Sequence, residues 1–208
     1  MARINKRKKR NSLILIKCEG TNSAEKIYFN NFKSRNCRIK FATGNSTDVK
    51  GMLDDLINYM KKEDITPENQ DKIYLVLDTD LNKKRIQDIK SIEKEYENRG
   101  IRIITSSPTF EIWYLMHYKK ENLTFKDSLS VKKELKKIIP DYKETMNIYT
   151  KIVEETKTAV ENAKLIEKRL KNTADNAYSF TPHSFVYEII EEINNSNNNW
   201  KKLKILLT

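Results

Sequence analysis

The chain has 208 residues, of which 38% are hydrophobic and 33% charged, with a net charge of +11. That balance describes a globular protein with a heavily solvated surface, excludes a disordered chain, and at this length allows one well-buried core and a single catalytic centre. No run approaches the roughly 20 apolar residues a membrane span needs, and two cysteines, Cys18 and Cys37, are too few for a disulfide framework and lack zinc spacing, so a reducing cytoplasm is expected.

Residues 1–11 read as a basic, flexible tail. Arg3, Lys6, Arg7, Lys8, Lys9 and Arg10 carry six of the eleven net charges with no acid among them, leaving +5 for the rest. Such a tail either neutralises nucleic-acid phosphates or simply keeps the chain soluble. Leu13-Ile14-Leu15-Ile16 is a short continuous apolar run, the pattern of a strand buried on both faces, and it stops at Cys18-Glu19-Gly20. Apolar residues at helical spacing follow from Ser23 to Phe32, with Ser23 as N-cap. A second strand is expected over Arg38 to Ala42. Gly44 to Thr47 then turn into a helix whose inner face is Val49, Met52, Leu53, Leu56, Ile57 and Met60.

Ile73-Tyr74-Leu75-Val76-Leu77 is the clearest buried strand, and it ends on Asp78-Thr79-Asp80. A charged helix is expected from about Lys83 to Asn98, stopped by Gly100, and then a fourth strand, Ile101 to Ile104, running into Ser106-Ser107-Pro108. From Thr109 onward the pattern is helical: FEIWYLMHY, a segment around Leu129 to Ile139, and a long amphipathic run from about Thr150 to Leu170. Asn172 to Pro182 is rich in turn residues, and Phe185 to Ile193 reads as a further helix. Residues 12–118 are therefore expected to form the catalytic core and residues 119–208 a helical C-terminal extension.

Strands alternating with helices in this way call for a mainly parallel, four-stranded sheet flanked by helices, an α/β fold, because right-handed crossovers leave few other arrangements. In such sheets the ligand site lies beyond the carboxyl ends of the strands. That rule sets Glu19, Asp78 and Asp80 on one edge. Asp78 and Asp80 are two apart, so in continued extended backbone they project to the same side, where both reach one divalent cation. Phosphodiester chemistry needs such oxygen ligands and a group that moves a proton.

Each of these residues also has a structural reading. Asp78 and Asp80 would serve equally as strand terminator and cap for the Lys83 helix, and Glu19 with Gly20 as a turn. Glu111 opens a helix after the fourth strand, where it either joins the carboxylates as a metal ligand or complements the helix dipole. His183 either contacts a phosphate and assists proton transfer or is a loop histidine. Lys17 and Lys83 are near enough in sequence to the acids to balance phosphate charge, or are solvated. Trp113, Leu115 and Met116 read as packing residues, as do Cys18 and Cys37.

An apolar strand followed by Cys18-Glu19-Gly20, with a later strand followed by Asp78-Thr79-Asp80, resembles the Toprim domain of topoisomerases, primases and nucleases. The resemblance implies that Glu19 acts in proton transfer and that Asp78 and Asp80 bind Mg2+ (or Mn2+). A closer likeness covers about Leu13 to Ile193. The order ILIKCEGTNSAEKIYF, LVLDTDLN, SSPTFEIWYLMHY and SFTPHSFVYEIIEEI is similar to the RloB family of bacterial defence proteins, with Ser107 standing where asparagine is common and the last block only approximating the family pattern. That likeness implies a Toprim nuclease in anti-phage defence, an ABC/AAA-type ATPase partner, and RNA, including tRNA, as a substrate slightly preferred over DNA. Among the OLD-type Toprim nucleases a downstream acid joins the metal ligands, which is the role implied for Glu111.

Two rivals remain at this level. LVLDTDLN also resembles the nucleophile loop of haloacid-dehalogenase-type phosphatases, although those enzymes carry it on the first core strand. A non-catalytic subunit that docks an ATPase would keep the fold but has no use for three acids.

Overall fold

The computed structural model describes residues 13–20, 23–35, 37–119, 124–172 and 181–196. Five strands form one sheet: β1 (Leu13–Lys17), β2 (Arg38–Phe41), β3 (Lys72–Asp78), β4 (Ile101–Ser107) and β5 (His183–Ser184), in the order β2-β1-β3-β4-β5. The first four are parallel, and β5 pairs antiparallel with β4, Ser106 facing Ser184 and Ser107 facing His183. The expectation of four strands is therefore corrected by one short edge strand. It carries no periodicity of its own because two residues cannot display one.

The continuous apolar runs are explained by burial on both faces. All five residues of β1 are buried, and the side chains of Leu13 to Ile16 alternate between two separate hydrophobic clusters. Leu13, Leu15, Ile73, Leu75, Ile101 and Ile103 meet the apolar stripes of α2 (Val49–Lys62) and α3 (Lys83–Asn98) on one face. On the other, Ile14, Ile16, Val76 and Ile104 meet α1 (Ala24–Asn30), α4 (Glu111–Met116), α5 (Ser128–Ile138), α7 (Thr156–Lys171) and α8 (Val186–Ser196). Trp113, Leu115 and Met116 are wholly buried in this second cluster, as packing residues, and both cysteines are buried.

The long run from Thr150 to Leu170 is not one helix. It begins as α6 (Tyr149–Ile152), passes through a tight 3-10 turn at Val153–Glu155 and continues as α7. At the break the Thr156 hydroxyl donates to the Val153 carbonyl at 2.8 Å, a local bond that competes with the helical ladder. The chain beyond residue 119 thus supplies helices and also β5, whose register is fixed by Phe185 N donating to Thr105 O at 2.9 Å.

The chain leaves β1 for β2 on one side and returns past β1 to β3 on the other. The connection through α1 crosses one face and that through α2 the opposite face. The carboxyl ends of β1 and β3 consequently flank the point where the strand order reverses, the place where such sheets open a crevice. Among the described residues, no helix is long and apolar enough to cross a membrane.

Candidate functional site

At that crevice a cavity of about 380 Å³ is lined by Glu19 from the end of β1, Glu25 from the first turn of α1, Asp78 and Asp80 from the end of β3, and Glu111 from the first turn of α4. Helices that follow parallel strands begin at the carboxyl edge, so their first turns point polar side chains at the same volume as the strand tips. Asp80 reaches the cavity differently from the extended geometry expected. The strand stops at Asp78, and Asp80 and Leu81 both adopt left-handed backbone, with φ of 50° and 54°. Thr79 N donates to Ser106 O and Asp80 N to Pro108 O, both at 2.9 Å, so the turn is pinned to the end of β4.

These five carboxyl groups, joined at the cavity by Glu144, repel each other, and the buried ones resist ionisation. Burial, then the neighbouring Glu25 and Glu111, hold the Asp78 carboxyl well above its usual range. Burial likewise lifts Glu25 to about 7, with Glu111 and Glu19 adding to the effect. Thr109 Oγ1 lies 2.9 Å from Asp78 Oδ2 and 2.7 Å from Glu111 Oε2. One hydroxyl proton serves one acceptor at a time, so holding both contacts requires a proton on a carboxyl, in keeping with the raised Asp78. Glu111 also accepts from Tyr142 OH at 2.8 Å, while Asp78 Oδ1 is buried without a hydrogen-bond partner.

Two cations complete the surroundings. Arg85, in the first turn of α3, donates through Nε to Asp78 O at 2.6 Å, through one terminal nitrogen to Thr47 O at 2.9 Å, and through the other to Glu19 Oε2 at 2.9 Å. A single guanidinium thereby joins the ends of β1 and β3 to the loop before α2, a use of its fixed fork that a lysine could not reproduce. Lys132 of α5 stands 3.8 Å from Glu111 and pairs with Glu144 at 2.5 Å, and Ser128 Oγ donates to Asp80 Oδ1 at 3.2 Å.

The carboxylates offer only hard oxygen donors, the set preferred by Mg2+ and Mn2+. In the side-chain positions of this structure, no three His, Cys, Asp or Glu among the described residues stand close enough to hold an ion. Closure would require rotation of the half-buried Glu19 and the exposed Asp80 toward the half-buried Asp78 and the buried Glu111. The unpartnered Asp78 Oδ1 is the observation that fits a cation there.

The family model described as RloB-like protein matches residues 14–193. The chain belongs to the RloB-like family. Comparison of this RloB-like chain with curated proteins and with solved structures gives no match.

Of the residues singled out in the RloB-like sequence, Glu19, Asp78, Asp80 and Glu111 come together at one cavity. Lys17 does not join them. Its ammonium is buried and bound to Asp55 Oδ2 and Gly44 O, each at 2.9 Å, so it has no contact to give a phosphate. Gly44 sits at φ 129° with its Cα against the Asp55 carboxylate, where a Cβ would collide. His183 is corrected as well. It is fully buried, Nδ1 donates to Thr181 O at 2.9 Å, Nε2 accepts from Thr105 Oγ1 at 3.1 Å, and burial lowers it to about 4, which makes it a neutral staple between β5 and β4. Lys83 is exposed at the start of α3. Lys6, Arg7, Lys8, Lys9 and Arg10 lie outside the described residues.

Sequence reasoning missed Glu25, Arg85, Thr109, Tyr142 and Lys132. A usable signal existed for the first two: polar residues in the first turn of any helix that follows a parallel strand face the same edge as the strand tips.

Proposed function

We propose that this RloB-like protein is a Toprim-type, metal-dependent nuclease that hydrolyses a nucleic-acid phosphodiester, acting in anti-phage defence together with an ABC/AAA-type ATPase. The convergence of Glu19, Asp78, Asp80 and Glu111 from two strand ends and one helix start on a single cavity carries the reading. Family membership supports the defence role and the ATPase partner, and RNA, including tRNA, is the substrate favoured slightly over DNA.

Asp78, Asp80 and Glu111 would hold Mg2+ or Mn2+, which supplies charge neutralisation at the phosphate and activates water. Thr109 and Tyr142 orient Asp78 and Glu111. Their hydrogen bonds restrict how the carboxylates can rotate, as outer groups around a metal site do. Glu19 stays at the rim, its carboxylate 39% exposed and tied to Arg85, within reach of solvent for proton transfer. The bond between phosphorus and the leaving oxygen breaks as water oxygen bonds to phosphorus, and the water proton passes to a carboxylate while the leaving oxygen is protonated from solvent.

Purified full-length protein incubated with RNA and DNA in Mg2+ or Mn2+, alone and with the proposed ABC/AAA-type ATPase, is the test. Metal-dependent cleavage that disappears in Glu19→Gln and Asp78→Asn is the expected result. Absence of cleavage in every combination would refute the reading, and an aspartyl-phosphate trapped on Asp78 would replace it with the phosphatase alternative.

A further inference from the structure

Some exposed lysines of this chain are neutralised by acids, as in Lys40 with Glu63, Lys72 with Glu192 and Lys164 with Glu191. Around the cavity, Lys50, Lys83, Lys84 and Lys126 are all exposed and form no ion pair or side-chain hydrogen bond among the described residues.

Their placement follows from contacts already described. Lys50 lies three residues beyond Thr47, whose carbonyl receives Arg85, and Lys83 and Lys84 directly precede Arg85. Lys126 lies two residues before Ser128, which bonds to Asp80. The first turns of α2 and α3 hold no acid, and a lysine at the positive pole of a helix is disfavoured unless an anion meets it. Asp48, the α2 cap, already spends its carboxylate on Gly51 N. Independently of the lysines, Asp78 lines the cavity and its Oδ1 is buried without a hydrogen-bond partner.

We infer that Lys50, Lys83, Lys84 and Lys126 form a phosphate track that lays a nucleic-acid backbone across the carboxyl edge of the sheet and over the carboxylate cavity. The inference rests on the nuclease reading and adds the path of the substrate to it. The track contacts phosphates and reads no bases, since the four side chains are point charges on flexible stems.

The test uses the full-length protein and two fluorescent probes of about 20 nucleotides, a uridine-rich RNA and a DNA duplex, with binding followed by anisotropy from about 50 to about 200 mM salt. One variant replaces the four track lysines by glutamine. A control replaces Lys61, Lys62, Lys94 and Lys168, equally exposed but away from this edge, giving the same change in net charge. Near-ultraviolet circular dichroism verifies that both remain folded.

At about 0.7 per phosphate for a single strand, the track variant should lower the salt slope on RNA by about 3 and weaken binding at least about tenfold, with the control close to wild type. Stronger loss on RNA than on duplex would identify a single strand as the occupant, and the reverse a duplex. Equal losses in the two variants, or binding by the track variant equal to wild type, would overturn the track while leaving cleavage by the wild type intact. Track-dependent binding without cleavage under any metal would refute the nuclease reading and keep the track.

Discussion

Replacing Glu25 by glutamine should stabilise the metal-free protein, because a buried acid in a like-charged cluster is held at a cost. Glu25 loses its proton near 4.5 in the unfolded chain but keeps it to about 7 when folded. The folded state is therefore favoured in acid and loses stability as pH rises across that window. At about 1.4 kcal/mol per pH unit the loss is about 3 kcal/mol once pH exceeds 7, and glutamine, neutral throughout, escapes it. His117 and His183 act in the opposite sense: burial lowers both to about 4, so they cost stability as pH falls below 6.5. Those histidines are present in wild type and variant alike and cancel in the difference between them.

Urea unfolding in chelator, followed by fluorescence at several pH values, should give a Glu25→Gln variant equal to wild type near pH 4.5 and more stable by about 3 kcal/mol near pH 8. A variant less stable than wild type at high pH, or a difference flat with pH, would refute the reasoning, since either means that Glu25 is not held protonated by its surroundings.

Arg85→Lys should reduce cleavage kcat about a hundredfold with little change in KM if Arg85 acts by positioning Glu19. In a Glu19→Gln background the same substitution should then have almost no further effect on kcat, and additive losses in this double-mutant cycle would argue for a separate role. Lys17→Met leaves Asp55 without its buried ammonium and should destabilise the fold by about 3 kcal/mol in urea titration. Unchanged stability would show the pair to be dispensable. The imidazole of His183, followed by NMR, should titrate near 4, and a midpoint near 6.5 would contradict its neutral role between the two strands. Asp78→Asn should remove most of the thermal stabilisation given by Mn2+, measured by calorimetry, and a Tm gain equal to wild type would place the ion elsewhere.

Features encoded by nearest neighbours in the chain were legible without the structure. The apolar runs of β1 and β3 and the helix of α3, found over Lys83–Asn98 as expected, announce themselves because burial on both faces and 3.6-residue periodicity are local patterns. The alternation of strand and helix then implied a mainly parallel sheet, and the edge rule gathered Glu19, Asp78 and Asp80, with Glu111 left open between metal ligand and helix-dipole partner. Tertiary packing decided the rest. Two residues at His183 become a strand only because β4 presents an open edge, and Lys17 is buried because Asp55 and Gly44 wait behind it across more than 25 positions of chain. Glu25 and Arg85 look like ordinary charges on helical segments. Their role arises from which strand tips stand beside them, a matter of sheet order that no local window contains.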